Sequence, residues 1–280
     1  MHELFGTKHL ILIAVSAIII VVASIFVKKL QFKTVVKILF VIGLLAEVVK
    51  DIYFTLSNES VYGGVLPKSD LPFHLCSIQM IFITILMISK NEKIKRVLVS
   101  FMRPSCLFGG ICAILIATHS SRNSWPITIQ YFSYHISLTV FAIYTFINKE
   151  YKMEFKDYTN CLIFLGCLMF VAIYLNSILT DLTYVVDSEG NLIKTVVNNG
   201  INFMYVAGPP QDGLPFLTEK YGWGVYICHY AFLILFCVTM VYIKPVVQKI
   251  KGLFSKKDVS TVESIAINSV LDKVAVEEIK

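Results

Sequence analysis

Apolar residues run along this chain in long stretches rather than in the period-2 alternation of a half-buried strand. Seven stretches come near the ~20 residues needed to cross a bilayer: 9–27, 35–57, 72–89, 97–118, 127–147, 160–178 and 225–243. They predict an all-α polytopic membrane protein with seven transmembrane helices. The first stretch is too long for the apolar core of a signal peptide, and "AVSAIIIVVASIF" leads into no cleavage site before Lys28 and Lys29. It is expected to stay as the first helix.

Two segments depart from the pattern. Residues 179–224 contain "YVVDSEGNLIKTVV", two β-rich runs around a Ser-Glu-Gly-Asn turn, which predicts a hairpin. The following "NNGINFMYVAGPPQDGLPF" is rich in Asn, Gly and Pro and is expected to form an ordered lid. At the C-terminus, charges mix with Val and Ile at loosely helical spacing. Residues 1–250 therefore read as one transmembrane domain and 251–280 as a cytoplasmic polar tail, to which no function is assigned.

Charge fixes an orientation. Lys28, Lys29, Lys33 and Lys37 flank the first loop; Lys90, Lys93, Lys95 and Arg96 the third; Lys149, Lys152 and Lys156 the fifth; and Lys244, Lys249, Lys251, Lys256 and Lys257 follow the last span. The opposite side holds only Lys8, Lys68, Arg122, Lys194 and Lys220 in far more sequence. The positive-inside rule then puts the N-terminus outside and the C-terminus in the cytoplasm of a multi-pass cell-membrane protein. The 280 residues are 56% hydrophobic with a formal charge of +6, and no phosphate-binding or dinucleotide fingerprint occurs. Neither a nucleic-acid partner nor a protein partner is predicted. The seven cysteines all lie in or at the ends of apolar runs, as small hydrophobes do, and imply no disulfide framework.

Candidate chemistry lies in the polar residues that interrupt the runs, because ionisable groups near a bilayer centre cost about 2.5–3.5 kcal/mol and usually face the interior of a bundle. These are Glu47, Lys50 and Asp51 on span 2, His74 and Cys76 on span 3, Arg103 on span 4, His119 at its end, His135 in span 5 and His229 at the start of span 7. With the orientation above, Cys76 sits ~6 Å and His135 ~12 Å below the outer face. Only Arg103 belongs to the inner half. Pro72 is expected to open span 3, which would set Cys76 in its first turn, where the helix dipole favours a thiolate. A nucleophilic thiol also needs a base. His135 suits on depth, with His74 and His119 as rivals; on a helix, His74 would point some 200° away from Cys76. Gln79, one turn below Cys76, or the N–H groups opening span 3 could hold an oxyanion. Glu47 or Asp51 could orient His135.

Each residue also has a plainer reading. An isolated membrane histidine is most often interhelical glue, contributing about 1 kcal/mol. Glu47 and Asp51 could simply pair with Lys50 or Arg103, and a lone cysteine is most often inert. Zinc would require a ligand spacing that is absent, so no metal is expected, and no cofactor either. Span 7 lacks the central lysine of a retinal protein, since Lys244 falls at its end.

Taken together, "LPFHLCSIQ" at the third span, "YFSYHISLTVFAIY" in the fifth and "GINFMYVAGPP" before the last resemble the YwaF family of bacterial integral membrane proteins. The resemblance covers roughly 35–245. Animal relatives of that family remodel ether phospholipids through a cysteine–histidine pair. The resemblance implies Cys76 as acyl-accepting nucleophile and His135 as its base, with Asn202, Phe203 and Met204 on an outer segment that positions substrate. The expected function is a phospholipid transacylase or acyl hydrolase at the outer leaflet, with membrane phospholipids as partners. The alternative is a proton-coupled transporter or small-ligand-binding membrane protein, in which Glu47 and Asp51 would matter more than Cys76.

Overall fold

The structure, a computed structural model, describes residues 4–57, 68–117, 124–148, 150–186, 190–197, 201–209 and 220–254. Among these residues an α-helix corresponds to each of the seven expected spans: α1 (Thr7–Val27), α2 (Phe32–Ser57), α3 (Ile78–Ile88), α4 (Glu92–Leu115), α5 (Trp125–Ile147), α6 (Phe155–Leu179) and α7 (Trp223–Val241). Helical backbone resumes over 243–254. The expected hairpin forms between α6 and α7, where β1 (Asp181–Val186) pairs antiparallel with β2 (Leu192–Val197) and Val186 stands opposite Leu192. The remainder of the predicted tail, 255–280, and the part of the predicted lid at 210–219 lie outside the described residues.

Four of the helices, α1, α4, α6 and α7, are long and apolar enough to cross a membrane by length and composition. Their outward faces are apolar, with Ile18 and Val21 on α1, Ile163 and Phe170 on α6 and Phe232 on α7 all exposed. The expectation of seven spans is thus carried by four on this measure. Charges at Lys37, Glu47, Lys50 and Asp51 interrupt α2. α3 is the larger departure. Instead of starting at Pro72 it starts at Ile78, and its 11 residues cover only ~16 Å, about half a bilayer core.

α4 packs against α3, α5, α6 and α7, and α5, which has most of its residues buried, also packs on α1 and α2. Pro104 sits inside α4 and cannot donate to the Ser100 carbonyl. The Tyr242 hydroxyl supplies the missing donor at 2.7 Å. Burial makes such a substitute necessary, since an unpaired buried carbonyl costs about 1–3 kcal/mol.

The lysine-rich connections meet at one end. Tyr144 donates to the Leu30 carbonyl at 3.0 Å, and Tyr151 packs its ring at a tilt against Phe32 and donates to Glu92 at 3.0 Å. Asp157 caps α6 reciprocally with Glu154, and takes both Nε and Nη2 of Arg96 at 2.7 and 3.1 Å. Asp157→Ala removes the cap partner and the two-pronged ion pair together. Because the Arg96 side chain is 34% exposed, the expected cost is held to about 2 kcal/mol. Thermal unfolding in detergent checks it; Glu154→Gln, which leaves the Asp157 pair intact, should lower the midpoint by less than half as much.

Candidate functional site

The candidate residues gather at the opposite end, around the start of α3. Residues 71–77 form a run of turns rather than helix. Cys76 therefore precedes the N-cap position, held by Ser77, and does not sit inside a first helical turn. The Ile78 N–H bonds to the His74 carbonyl at 2.9 Å, and the Gln79 N–H to the Cys76 carbonyl at 3.2 Å, which folds the segment onto the helix start. This also removes the helical geometry that would turn His74 away from Cys76. The physical reason is Pro72, which has no N–H and restricts the residue before it, so the chain turns here before helix can propagate.

Cys76 is half-buried, and its thiol makes no hydrogen bond to a described residue. Two features fix its surroundings. The Tyr134 hydroxyl donates to the Cys76 carbonyl at 2.9 Å, tying the segment to α5 one residue from His135. On α4, a Cβ built on Gly109 would lie 3.9 Å from the Cys76 sulfur, while one built on Gly110 would lie 3.0 Å from the His135 carbonyl. The cysteine segment and the histidine turn thus flank adjacent glycines on one helix. No hydrogen bond joins the thiol to the imidazole.

His135 is buried between Tyr131 and Tyr134, with the Tyr131 ring centroid 4.2 Å away. Its Nδ1 lies 2.7 Å from the Tyr131 carbonyl. A carbonyl oxygen only accepts, so Nδ1 carries the proton and Nε2 keeps its lone pair, the form a general base requires. His74 is fixed in the other tautomer. Its Nε2 donates to the Ser69 carbonyl at 3.1 Å, leaving Nδ1 as the acceptor.

The other candidates are engaged elsewhere. Gln79 is buried, with its amide donating to the Leu75 carbonyl and the Ser105 hydroxyl at 3.0 and 3.1 Å, and its oxygen facing the Cys106 thiol at 3.5 Å. Both donors are used, so an oxyanion role would require breaking one bond. Glu47 pairs with Lys50 on its own helix, and Lys50 lies 4.0 Å from Asp51. Neither carboxylate bonds to His135. His119 lies outside the described residues. Asn202 serves its own loop, donating to the Gly208 carbonyl at 2.9 Å and accepting from the Ala207 N–H at 3.1 Å. No group of three metal-ligating side chains occurs among the described residues.

Phe203 packs its ring on both Phe73 and His74, with centroids 5.5 and 5.1 Å apart, and Tyr205 approaches His74 at 6.2 Å. The "NFMY" stretch and the "PFHLC" stretch thus touch through aromatic rings. Several residues that hold this arrangement were not evident from the sequence: Tyr134, Asn176, Trp223, Tyr226 and Tyr230. Asn176 carried a readable signal, as an amide within the predominantly apolar C-terminal half of α6.

Compared with models of known families, residues 4–242 match the TMEM164 family. Neither a curated protein nor a solved structure matches.

Proposed function

We propose, from the premise that this chain belongs to the TMEM164 family and is an integral membrane protein, that it transfers acyl chains between phospholipids through a thioester on Cys76. The motifs "LPFHLCSIQ", "YFSYHISLTVFAIY" and "GINFMYVAGPP" support a further reading of it as YwaF-like, a multi-pass protein of the cell membrane. The lysine-rich loops support an external N-terminus and a cytoplasmic C-terminus, an orientation that requires an odd number of crossings and is consistent with seven.

The observation that carries this reading is the bond from Tyr134 to the Cys76 carbonyl, which anchors the thiol segment beside the turn bearing His135. In the first step the Cys76 sulfur attacks an ester carbonyl carbon while Nε2 of His135 takes the thiol proton. Collapse of the tetrahedral adduct expels the lysophospholipid oxygen, which recovers that proton from the imidazolium. In the second step a lysolipid hydroxyl, or water, attacks the thioester and gives its proton to the same nitrogen, so the thiol is regenerated on release of the product. Asn202, with its neighbours Phe203 and Met204, belongs to the substrate-positioning segment.

Intact mass after incubation with mixed phospholipids tests this directly. Wild type should gain an acyl-sized mass that hydroxylamine removes. Cys76→Ala should gain none, and His135→Ala should acquire it about 10²–10⁴-fold more slowly. A folded wild type that gains no mass with any phospholipid sinks the reading.

A second reading rests on the Glu47–Lys50–Asp51 cluster within α2, where Oδ1 of Asp51 lies 4.0 Å from the Lys50 ammonium and has no hydrogen-bond partner among the described residues. Such a cluster suits proton-coupled transport. Loss of solute uptake in Glu47→Gln and Asp51→Asn, with Cys76→Ala fully active, would favour it.

A further inference from the structure

The segment Asn202–Gly208 is held by side chains rather than by regular secondary structure. Met204 and Tyr205 both adopt positive φ, at 55° and 54°. Two consecutive non-glycine residues in the left-handed region are strained and persist only when their surroundings over-determine them. The surroundings here are specific. On α6, Asn176 accepts from the Phe203 N–H at 2.8 Å and donates to the Phe203 carbonyl at 3.2 Å, so one buried amide grips both ends of a single residue. On α7, Tyr230 donates to the Met204 carbonyl at 2.8 Å, Tyr226 reaches the Tyr205 and Gly208 carbonyls, and the Trp223 indole donates to the Val206 carbonyl at 2.9 Å.

This grip is transmitted. Phe203 is fully buried and its ring meets Phe73 and His74, the residues leading into Cys76. On the far side Tyr134 holds the Cys76 carbonyl. The turn-rich segment 71–77 has local turn bonds and a tie to the start of α3, and these two clamps fix it against α5 and the strap.

We propose that Asn176 is a positioning residue for Cys76, acting through Phe203: it sets the strained strap that holds the Phe73–His74 approach and thereby the placement of the thiol. The inference rests on the reading of Cys76 as the reacting group. Asn176 touches neither the sulfur nor substrate.

The test reads the thiol without using lipid. Full-length protein is treated with N-ethylmaleimide, and the modification rate is followed cysteine by cysteine by mass spectrometry. Exposed Cys167 and Cys228 serve as internal references. Asn176→Ala should raise the Cys76 rate about fivefold or more, the factor that losing a buried hydrogen bond commonly produces, with Cys167 and Cys228 unchanged. Asn176→Asp, which keeps the acceptor for the Phe203 N–H but loses the donor, should fall between. Phe203→Leu, which leaves Asn176 intact, should repeat the Asn176→Ala effect and covers the case in which that variant does not fold. An unchanged Cys76 rate in the folded variants overturns the proposal. So does a parallel rise at all the cysteines, which would mark general loosening. Because maleimide labelling needs no acyl donor, a wild type that forms no thioester would defeat the proposed enzyme activity and leave this result readable.

Discussion

Replacing Arg103 with methionine is expected to cost about 2–6 kcal/mol of stability, since it strands two buried carbonyls at about 1–3 kcal/mol each. Arg103 is 1% exposed, mid-way along α4, and no carboxylate pairs with it among the described residues. Instead Nη2 donates to the Thr145 and Tyr151 carbonyls at 3.1 and 2.8 Å, Nε to the Thr145 hydroxyl at 3.1 Å and Nη1 to the Tyr242 hydroxyl at 3.4 Å. The Phe146 and Tyr242 rings flank the guanidinium. The two hydroxyls have other partners in Ala142 and Ser100, so they lose little. Thr145 lies in the last turn of α5 and Tyr151 in the α5–α6 loop, where no further helix turn supplies N–H donors. Against this stands the relief of no longer holding a charge in the bundle, about 2.5–3.5 kcal/mol for a helix-centre Arg. Little of that cost is relieved, because the unfolded, inserted chain carries the same charge in the membrane and the folded bundle compensates it with four hydrogen bonds. The orphaned carbonyls therefore dominate. Thermal unfolding in detergent should show a large fall for Arg103→Met and a smaller one for Arg103→Lys, whose ammonium can donate to one carbonyl but has no planar fork to span both. An Arg103→Met protein as stable as wild type would mean that the guanidinium is tolerated rather than needed.

The helices were readable because the apolar runs are long, and a run of that length has few alternatives to helix. The hairpin was readable from its turn and flanking β-formers. The start of α3 was not. Leu71–Phe73 looks apolar enough to belong to the helix, but propagation depends on Pro72, on the hydrogen bond from Tyr134 and on ring packing with Phe203, partners distant in sequence. Depth counting brought Cys76 and His135 to nearby levels; in the structure Cys76 borders Gly109 and the His135 carbonyl borders Gly110. The same counting could not assign Gln79 or Glu47, because their fate depends on partners: Ser105 and Cys106 for one, Lys50 for the other. Arg103 was visible as an isolated charge, yet its ligands are mostly backbone carbonyls, which carry no sequence signature at all. The hold on Phe203 is of the same kind. Tyr226, Tyr230 and Trp223 bond to carbonyls of residues 204–208, so only the donors could have been noticed.

Gly110→Ala should slow acyl transfer more than it destabilises the fold. An added Cβ would overlap the Thr139 hydroxyl and stand 3.0 Å from the His135 carbonyl. The hydroxyl could swing aside, giving up its own 2.9 Å bond to that carbonyl. The carbonyl cannot, being backbone within α5, so α5 must shift away from α4. Overpacking of this kind costs about 1–3 kcal/mol, partly offset by the ~1 kcal/mol gained when alanine replaces glycine in a helix. Catalysis is more sensitive than stability: a ~1 Å displacement of a reacting group can cost about 10²-fold, so the few tenths of an ångström needed here should cost roughly several-fold. Gly109→Ala is the matched control: its Cβ would meet Leu75 at 3.6 Å and the Cys76 sulfur at 3.9 Å, ordinary contacts that require no movement. Rates of thioester formation for the two variants, set beside their unfolding midpoints, separate the effects. Gly109→Ala should stay near wild type on both measures, whereas Gly110→Ala should keep most of its midpoint and lose most of its rate. Equal rates in the two would show that the separation between α4 and α5 does not set the approach of His135 to Cys76. The base would then have to be sought at His74, whose Nδ1 is left open by its bond to Ser69.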